Sequence, residues 1–242
     1  MKSVLITGAS SGIGKQLARD YRHEGWRVIA CGRDHTRLAS GLSGLDCELC
    51  VFDTTDREQT RQALGELHNL DLVILNAGTC EYIDDARAFD AELFEHVIRS
   101  NLLGTANCLA ALLPGLQRGS RVAIVSSSVT FVPLTRAEAY GASKAALDYL
   151  GQTLAIDLHK HGIAVSMIRP GFVDTPLTRR NDFPMPGRID TAQASLFIRA
   201  GLARGDRNID FPFLFILSMR LLSWLPHWLW HRIAVSMTRE ST

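Results

Sequence analysis

Short apolar runs alternate with helical patterns along most of this 242-residue sequence. The runs are rich in β-branched residues, as buried strands are, and the segments between them repeat apolar residues every three or four positions. This alternation predicts an α/β fold with helices on both faces of a parallel sheet, and right-handed crossovers favour a doubly wound topology. We predict strands at 2–7, 26–31, 47–52, 71–76, 120–126 and 163–169, and helices at 12–24, 56–68, 90–113, 140–160 and 191–204.

The composition is that of an ordinary globular domain. Hydrophobic residues make up 46% of the chain and charged residues 21%, which excludes a disordered segment. The length is sufficient for one α/β domain with a full core. A net charge of +1 and the lack of a basic tract give no indication of a nucleic-acid partner.

The cysteines indicate a reducing environment. There are five, an odd number, and the N-terminus runs directly into a predicted core strand, so we expect reduced thiols and a cytoplasmic protein. Cys47 and Cys50 form a C-x-x-C pair, but residues three apart on a strand point to opposite faces. We interpret them as two packed apolar residues, and we predict no metal site.

A glycine-rich turn follows the first strand. Thr7-Gly8-Ala9-Ser10-Ser11-Gly12-Ile13-Gly14 connects that strand to a helical pattern. Strand, glycine turn and helix present backbone N–H groups and a positive helix end to a pyrophosphate. We therefore predict a dinucleotide site here, in preference to an ordinary glycine turn.

Polar groups also follow two later strands. Asn76-Ala77-Gly78 ends the strand at 71–76, and Ser126-Ser127-Ser128 ends the strand at 120–126. In open parallel sheets, ligands bind outside the carboxyl ends of the strands. These groups are therefore expected to line the same crevice as the glycine turn.

The end of the second strand bears on the choice of cofactor. Gly32 stands where an acidic residue would bind the ribose of NAD, and Arg33 is placed to hold the 2′-phosphate of NADP. Ser11 can add a hydroxyl to the same phosphate, whereas Asp34 keeps NAD(H) open as an alternative. We predict a preference for NADP(H). Asp53, after the third strand, is placed to contact the adenine amino group or to cap a helix.

Tyr140-Gly141-Ala142-Ser143-Lys144 carries the chemistry that we predict. A spacing of four residues puts the phenol and the ammonium on one helix face. A fixed cation favours the phenolate and lowers the pKa of the tyrosine, so that it can act as a general acid and base.

In combination, these motifs resemble the short-chain dehydrogenase/reductase family, over roughly residues 2–205. The resemblance extends to Asn101, to Ser127 thirteen residues before Tyr140, and to Pro170-Gly171-x-x-x-Thr175. It implies a Rossmann-like fold and hydride transfer between a nicotinamide and a carbonyl or alcohol carbon. The glycine-rich final strand usual in the family is not recognisable, and 208–212 is a poor candidate for it.

The resemblance also implies roles for individual residues. Tyr140 would donate the proton, Lys144 would lower its pKa and bind the nicotinamide ribose, and Ser127 would stabilise the oxyanion. Asn101 would hold a water that links Lys144 to solvent, or instead cap a backbone group. Thr175 would anchor the carboxamide. The cofactor-binding residues that the resemblance implies are Gly8, Ser10, Ser11, Gly12, Ile13, Gly14, Arg33, Asp53, Asn76, Ala77, Gly78, Tyr140, Lys144, Pro170, Gly171, Val173 and Thr175.

The carboxy-terminal part differs from the rest of the chain. A polar stretch with three prolines runs from Pro176 to about Asp190 and is expected to form a lid. We predict a catalytic domain at 1–205 and an aromatic extension at 206–242. The apolar part of the extension, 211–232, is first interpreted as a buried interface in a homodimer or homotetramer; a cap on the substrate pocket and a peripheral membrane contact are the alternatives.

Five apolar residues are predicted near the substrate, which indicates a hydrophobic small molecule: Phe131, Val132, Leu134, Phe172 and Val173. The competing hypotheses are a non-catalytic dinucleotide-binding module and a peripheral membrane protein on the same fold. A binder needs only the glycine turn, so the full set of catalytic groups favours an enzyme.

Overall fold

The computed structural model describes residues 1–236 and contains a seven-stranded parallel sheet. The strand order is β3-β2-β1-β4-β5-β6-β7, with the reversal between β1 and β4 that defines a doubly wound topology. The strands are β1 Ser3–Thr7, β2 Arg27–Gly32, β3 Glu48–Val51, β4 Leu72–Leu75, β5 Arg121–Val125, β6 Ala164–Pro170 and β7 Asn208–Phe211. The predicted fold class is confirmed.

Helices cover both faces of this sheet. They are α1 Gly12–His23, α2 His35–Gly41, α3 Arg57–Leu64, α4 Ala91–Ile98, α5 Gly104–Leu112, α6 Glu138–Asp157, α7 Thr191–Arg204, α8 Phe213–Ser223 and α9 His227–Ser236. A π-helical turn, Arg99–Leu103, joins α4 to α5. The prediction missed α2, α8 and α9, and it treated α4 and α5 as one helix.

The sheet separates two hydrophobic cores. Alternate side chains of each strand face the two sides, so that Val4 and Ile6 pack beneath α1, α2 and α7 whereas Leu5 packs beneath α3, α5 and α6. Cys47 belongs to the first core and Cys50 to the second. The two cysteines therefore pack on opposite sides of the sheet, as predicted.

The seventh strand corrects the prediction that 208–212 is a poor strand. β7 pairs with β6 in parallel, with Ile168 opposite Ile209. Its apolar residues, Ile209 and Phe211, are buried in the first core. The sheet therefore continues beyond residue 205, where the catalytic domain was predicted to end.

The polar residues of β7 are neutralised by a buried arginine. The Arg169 guanidinium donates to the Asp148 carboxylate of α6 at 2.7 Å and to Asn208 and Asp210 of β7 at 2.9 and 3.2 Å. Asp210 also pairs with Arg220 of α8. These contacts compensate the desolvation of the charges, which explains how a strand with an Asn and an Asp forms the edge of the sheet beside β6.

The last two helices form what we call the carboxy-terminal hairpin, α8 and α9 with the connection 224–226. Its inner face forms a third core in which Met219 and Trp230 pack with Val132, and the Trp230 indole donates to the Pro133 carbonyl at 3.0 Å. Within residues 1–236, the protein has no helix whose length and hydropathy would suffice to cross a membrane.

Candidate active site

A cleft of about 440 Å³ opens at the carboxyl ends of the strands. Seventeen of the predicted site residues line it: Gly8, Ser10, Ser11, Gly12, Ile13, Arg33, Asp53, Asn76, Ala77, Gly78, Ser127, Tyr140, Lys144, Pro170, Gly171, Val173 and Thr175. The other two, Gly14 and Asn101, lie behind its wall. The cleft follows the switch in strand order, where doubly wound sheets bind ligands.

The glycine turn depends on close backbone packing. Gly8 has a φ of 68°, and a Cβ there would come within 2.9 Å of the Ala77 Cα. A side chain at Gly14 would overlap the Gly8 carbonyl. Gly14 therefore has a packing role, which holds the start of α1 against the turn.

Asn76 holds this turn from the neighbouring strand end. Its side-chain amide donates to the Thr7 carbonyl at 3.0 Å, and the N–H groups of Asn76 and Ala77 donate to the Thr7 hydroxyl, each at 3.0 Å. The motif at 76–78 thus fixes the shape of the turn as well as lining the cleft.

The first turn of α1 faces the cleft with an anion-binding character. Ser11 is the N-cap of this helix, its side chain makes no capping hydrogen bond, and the first turn carries no acidic residue. Free N–H groups and the positive end of the helix dipole favour a phosphate at such a position. The cleft and this helix end fit the pyrophosphate of a dinucleotide.

Two arginines line the adenosine end of the cleft. Arg33 was predicted there, but Arg37, in the first turn of α2, was not. The Asp34 side chain caps α2 by accepting from the Arg37 N–H at 3.0 Å. An N-cap pattern at Asp34 was the available signal for this short helix.

Asp53 lines the cleft but is not a helix N-cap. Its carboxylate accepts from the Thr55 N–H at 2.9 Å and from the Thr55 hydroxyl at 2.8 Å. Asp56 caps α3 instead, by accepting from the Gln59 N–H. The capping alternative for Asp53 is therefore wrong.

Lys144 is buried one turn after Tyr140 on α6. Its ammonium donates to the Val125 carbonyl at 2.9 Å and lies 5.7 Å from the centroid of the Tyr140 ring. Burial lowers the pKa of Lys144 to about 8, against the opposing effects of Cys80 and Asp148. The lysine therefore carries its charge at neutral pH and loses it under mildly alkaline conditions.

The pKa of the Tyr140 phenol is raised, which corrects the predicted lowering. Burial is the main cause and Cys80 adds to it, while a hydrogen bond with Ser127 opposes them. Desolvation disfavours the phenolate, and the ammonium of Lys144 is engaged with the backbone of β5. At neutral pH the phenol is a proton donor.

Ser127 stands at the end of β5, beside Tyr140. It caps the short 3₁₀ turn Ser128–Thr130 by accepting from the Val129 N–H at 3.2 Å. Its hydroxyl also hydrogen-bonds the Tyr140 phenol, so that both oxygens meet at the cleft. Ser127 is therefore the turn residue that was the alternative interpretation, and this position is compatible with a role in stabilising the oxyanion.

Asn101 is fully buried and bound to backbone. Its amide donates to the Thr79 carbonyl and to the Ser143 hydroxyl, each at 2.9 Å, and its side-chain oxygen accepts from the Thr79 N–H at 2.7 Å. This is the backbone-binding alternative. Asn101 thereby fixes the segment after Gly78 against α6, and the role with a water stays a prediction.

The substrate end is more polar than predicted. Of the five apolar residues expected there, only Val173 lines the cleft, while Val132, Phe131 and Leu134 belong to the core beneath the carboxy-terminal hairpin. Sequence spacing could not reveal the hairpin that covers them. The polar residues that line this cleft and were not predicted include Glu81, His96 and Arg180.

The segment predicted as a lid borders the cleft. Pro176, Leu177 and Arg180 line it, and the ring of Phe183 packs edge-on against Tyr82 at 5.4 Å. Arg136 pairs with Asp182 at 2.9 Å. The segment is therefore held against the body by an aromatic contact and an ion pair.

Within residues 1–236 no group of three or more His, Cys, Asp or Glu side chains could hold a metal ion. The cleft is lined by hydroxyls, a phenol, an ammonium and guanidinium groups, and its carboxylates, Asp53 and Glu81, and its imidazole, His96, form no such group in the described part of the chain. This donor set suits an anionic organic cofactor better than a metal.

Comparison with known proteins agrees with this arrangement. The family model for short chain dehydrogenases matches residues 2–183. An uncharacterized oxidoreductase of Myxococcus xanthus (strain DK1622) is 35% identical over 238 residues, which is 93% of each chain. The serine 3-dehydrogenase of Rhizobium radiobacter is 33% identical over 183 residues, 73% of this chain and 74% of the relative.

Solved structures show the same fold. A short chain dehydrogenase from Burkholderia cenocepacia J2315 in complex with NADP has a TM-score of 0.86 and 24% identity, covering 97% of this chain and 99% of that chain. At this identity the likeness concerns the fold alone. It includes the region of β7 and the carboxy-terminal hairpin.

Proposed function

Because the chain belongs to the short-chain dehydrogenase/reductase family of oxidoreductases, we propose that it reduces or forms a carbonyl group with NADP(H), with Tyr140 as general acid and base. The observation that carries the proposal is the convergence of Ser127, Tyr140 and Lys144 on the cleft that also contains the glycine turn.

The residues divide the work by chemistry. The bound nicotinamide supplies the hydride. Tyr140 holds the proton for the carbonyl oxygen, and its raised pKa keeps that proton in place at neutral pH. Ser127 donates a hydrogen bond where negative charge develops on oxygen. Lys144, charged below about pH 8, holds positive charge beside them and would bind the nicotinamide ribose.

Support for NADP(H) comes from the adenosine end of the cleft. Arg33 and Arg37 both line it, and guanidinium groups bind phosphate oxygens with charge-assisted hydrogen bonds. The Burkholderia cenocepacia protein was solved with NADP. Asp34 is engaged as the cap of α2, which removes much of the reason to expect NAD(H).

The test is NADPH consumption by the purified protein with a panel of aldehydes and ketones. Tyr140→Phe is expected to reduce turnover by about 10²- to 10⁴-fold, the usual contribution of a positioned acid. Its Kd for NADPH should stay close to that of the unaltered protein. Tyr149→Phe, on the exposed face of the same helix, is the matched control.

Full turnover in Tyr140→Phe would contradict the proposed acid. No turnover with any carbonyl compound, together with tight NADPH binding, would favour the competing hypothesis of a non-catalytic binding module.

For the substrate we propose a hydrophobic carbonyl or alcohol compound. Val173, Pro176 and Leu177 give the cleft an apolar wall. A short polar hydroxy acid is the second candidate, because Glu81, His96 and Arg180 line the same cleft and a relative is named for serine. Rates that rise with aliphatic chain length favour the first; rates highest for small hydroxy acids favour the second.

We also propose that the protein is a homodimer or homotetramer. The support is general, since soluble oligomers are mostly closed, symmetric assemblies of one chain, and Tyr149 and Ile156 leave apolar surface exposed on α6. Light scattering coupled to size exclusion measures the mass of the particle, and a monomer at all concentrations would contradict the proposal.

A further inference from the structure

The carboxy-terminal hairpin exposes an apolar stripe on its outer face. Its six members recur at helical spacing along α8 and continue to the start of α9: Phe213, Leu214, Leu217, Leu221, Trp224 and Trp228. Leu214 is 78% exposed, Trp224 80% and Trp228 63%. Exposed apolar patches of this kind mark contacts with a partner or a membrane.

The stripe is distinct from the face that holds the hairpin to the protein. Ile216, Met219 and Trp230 point inward and are buried. Phe215 packs against Phe172 with ring centroids 5.4 Å apart. One side of α8 is therefore packed against the protein, and the outer side is left exposed.

The charge of the segment selects among the possible partners. Residues 211–236 contain no Asp or Glu but two arginines. Arg220 pairs with Asp210 across the inner side. Arg232 is exposed and has no ion-pair partner within residues 1–236. An apolar stripe beside an uncompensated positive charge complements a surface with an apolar interior and negative groups at its boundary with water.

We propose that the outer face of the carboxy-terminal hairpin lies on a lipid bilayer that carries anionic headgroups. The helices would lie in the plane of the interface with the leucines in the acyl region. Trp224 and Trp228, at the junction of the two helices, have the amphipathic rings that favour the headgroup level. The helices are too short to cross the bilayer, so the contact would be peripheral.

A second copy of this chain fits the stripe less well. In a two-fold symmetric contact the same surface meets itself, so Arg232 of each copy would approach a segment without a carboxylate to receive it. Anionic headgroups remove that repulsion. The contact would also bring the bilayer close to the lid, because Phe215 lies on the hairpin and Phe172 beside the cleft.

The experiment is cosedimentation of the full chain with vesicles of phosphatidylcholine mixed with phosphatidylglycerol, and with vesicles of phosphatidylcholine alone. We expect binding to the mixed vesicles and weaker binding to the neutral ones. The double variant Trp224→Ser/Trp228→Ser should weaken binding by at least about tenfold. The variant lacks two large aromatic side chains whose transfer from water to the bilayer stabilises the bound state.

Leu49→Ser/Val51→Ser is the matched control, since it removes two apolar side chains that are 38% and 43% exposed on β3, at the sheet edge opposite β7. It should bind vesicles as the unaltered protein does. Both tryptophans are exposed, so the double variant is expected to fold, which circular dichroism and NADPH binding check independently of any reaction.

Three results would overturn the proposal: no binding of the unaltered protein to the mixed vesicles, equal binding by the tryptophan double variant, or an equal loss in Leu49→Ser/Val51→Ser. If the unaltered protein does not bind vesicles and the tryptophan double variant has a different oligomeric mass, the stripe is a contact between copies of the chain.

Discussion

The glycine turn with its neighbouring strand ends and the carboxy-terminal hairpin show two different ways in which a sequence determines structure. In the first region each residue meets a local requirement, such as the positive φ of Gly8 or the close packing of Gly14. In the second, the same residue types on one helix have opposite fates: Trp230 is buried and Trp228 exposed. Local constraints can be read from spacing, whereas the choice between buried and exposed tryptophans depends on the surface beneath the helix.

Replacing each of those two tryptophans tests the difference between the buried and the exposed position most directly. Trp230→Ala should lower the free energy of unfolding by about 3–5 kcal/mol, because it empties a buried site and leaves the Pro133 carbonyl without its donor. Trp228→Ala should change it little. Urea unfolding followed by circular dichroism measures both.

Equal small effects would show that the hairpin is only loosely attached and that its core contributes nothing to the stability of the domain.

A second prediction sharpens the description of the adenosine end. Arg33→Ala should raise the Kd for NADPH by about 10- to 100-fold, since one charge-assisted hydrogen bond contributes about 1.5–3 kcal/mol. The Kd for NADH should stay nearly unchanged because NADH lacks the 2′-phosphate. Isothermal titration calorimetry measures both constants.

Arg61→Ala, an exposed arginine on α3, is the control for a general loss of positive charge. Equal weakening of NADH and NADPH by Arg33→Ala would assign the arginine to the adenine or to the fold.

The smallest effect that we predict near neutral pH is the dependence of kcat/KM on the charge of Lys144. Lys144 is a cation below its pKa of about 8 and neutral above it. If that charge supports reduction, kcat/KM should be level below pH 8 and fall by up to about tenfold per pH unit above it. The raised pKa of Tyr140 keeps the phenol protonated over this range.

Lys144→Arg is the informative variant, since a guanidinium keeps its charge. Its activity, although lower, should show no decline near pH 8; the same decline in the variant would assign the titration to another group.

Much of the fold was predictable because the strand interiors carry their own signal. Val4, Leu5 and Ile6 form a short apolar run in which Val4 and Ile6 are β-branched, and all three are fully buried. β7 lacked such a signal, since Asn208 and Asp210 become acceptable in a strand only through Arg169, which is far away in sequence. The short helix α2 was missed because its only local sequence signal is the N-cap at Asp34.

The site shows the same division. Tyr140 and Lys144 were placed at the cleft by their spacing on one helix, and Ser127 by the family resemblance. Arg37, Glu81 and Arg180 reach the cleft through folded loops and helix ends. The pKa of Tyr140 was predicted in the wrong direction because burial is a property of the assembled structure and outweighs a neighbouring cation.

The ion pairs of Arg169 connect the carboxy-terminal hairpin to α6, the helix that carries the proton donor. Arg220 of α8 is tied to Asp210, Asp210 to Arg169, and Arg169 to Asp148, which lies one turn beyond Lys144 on α6. The other oxygen of Asp148 has no hydrogen-bond partner in the described part of the chain. A shift of α8 that drew Asp210 away would leave Asp148 as the one carboxylate paired with Arg169 among the described residues, and would weaken the field that Asp148 exerts on the Lys144 ammonium. The pKa of Lys144 would thus depend on the position of α8, a helix that does not contact the lysine directly.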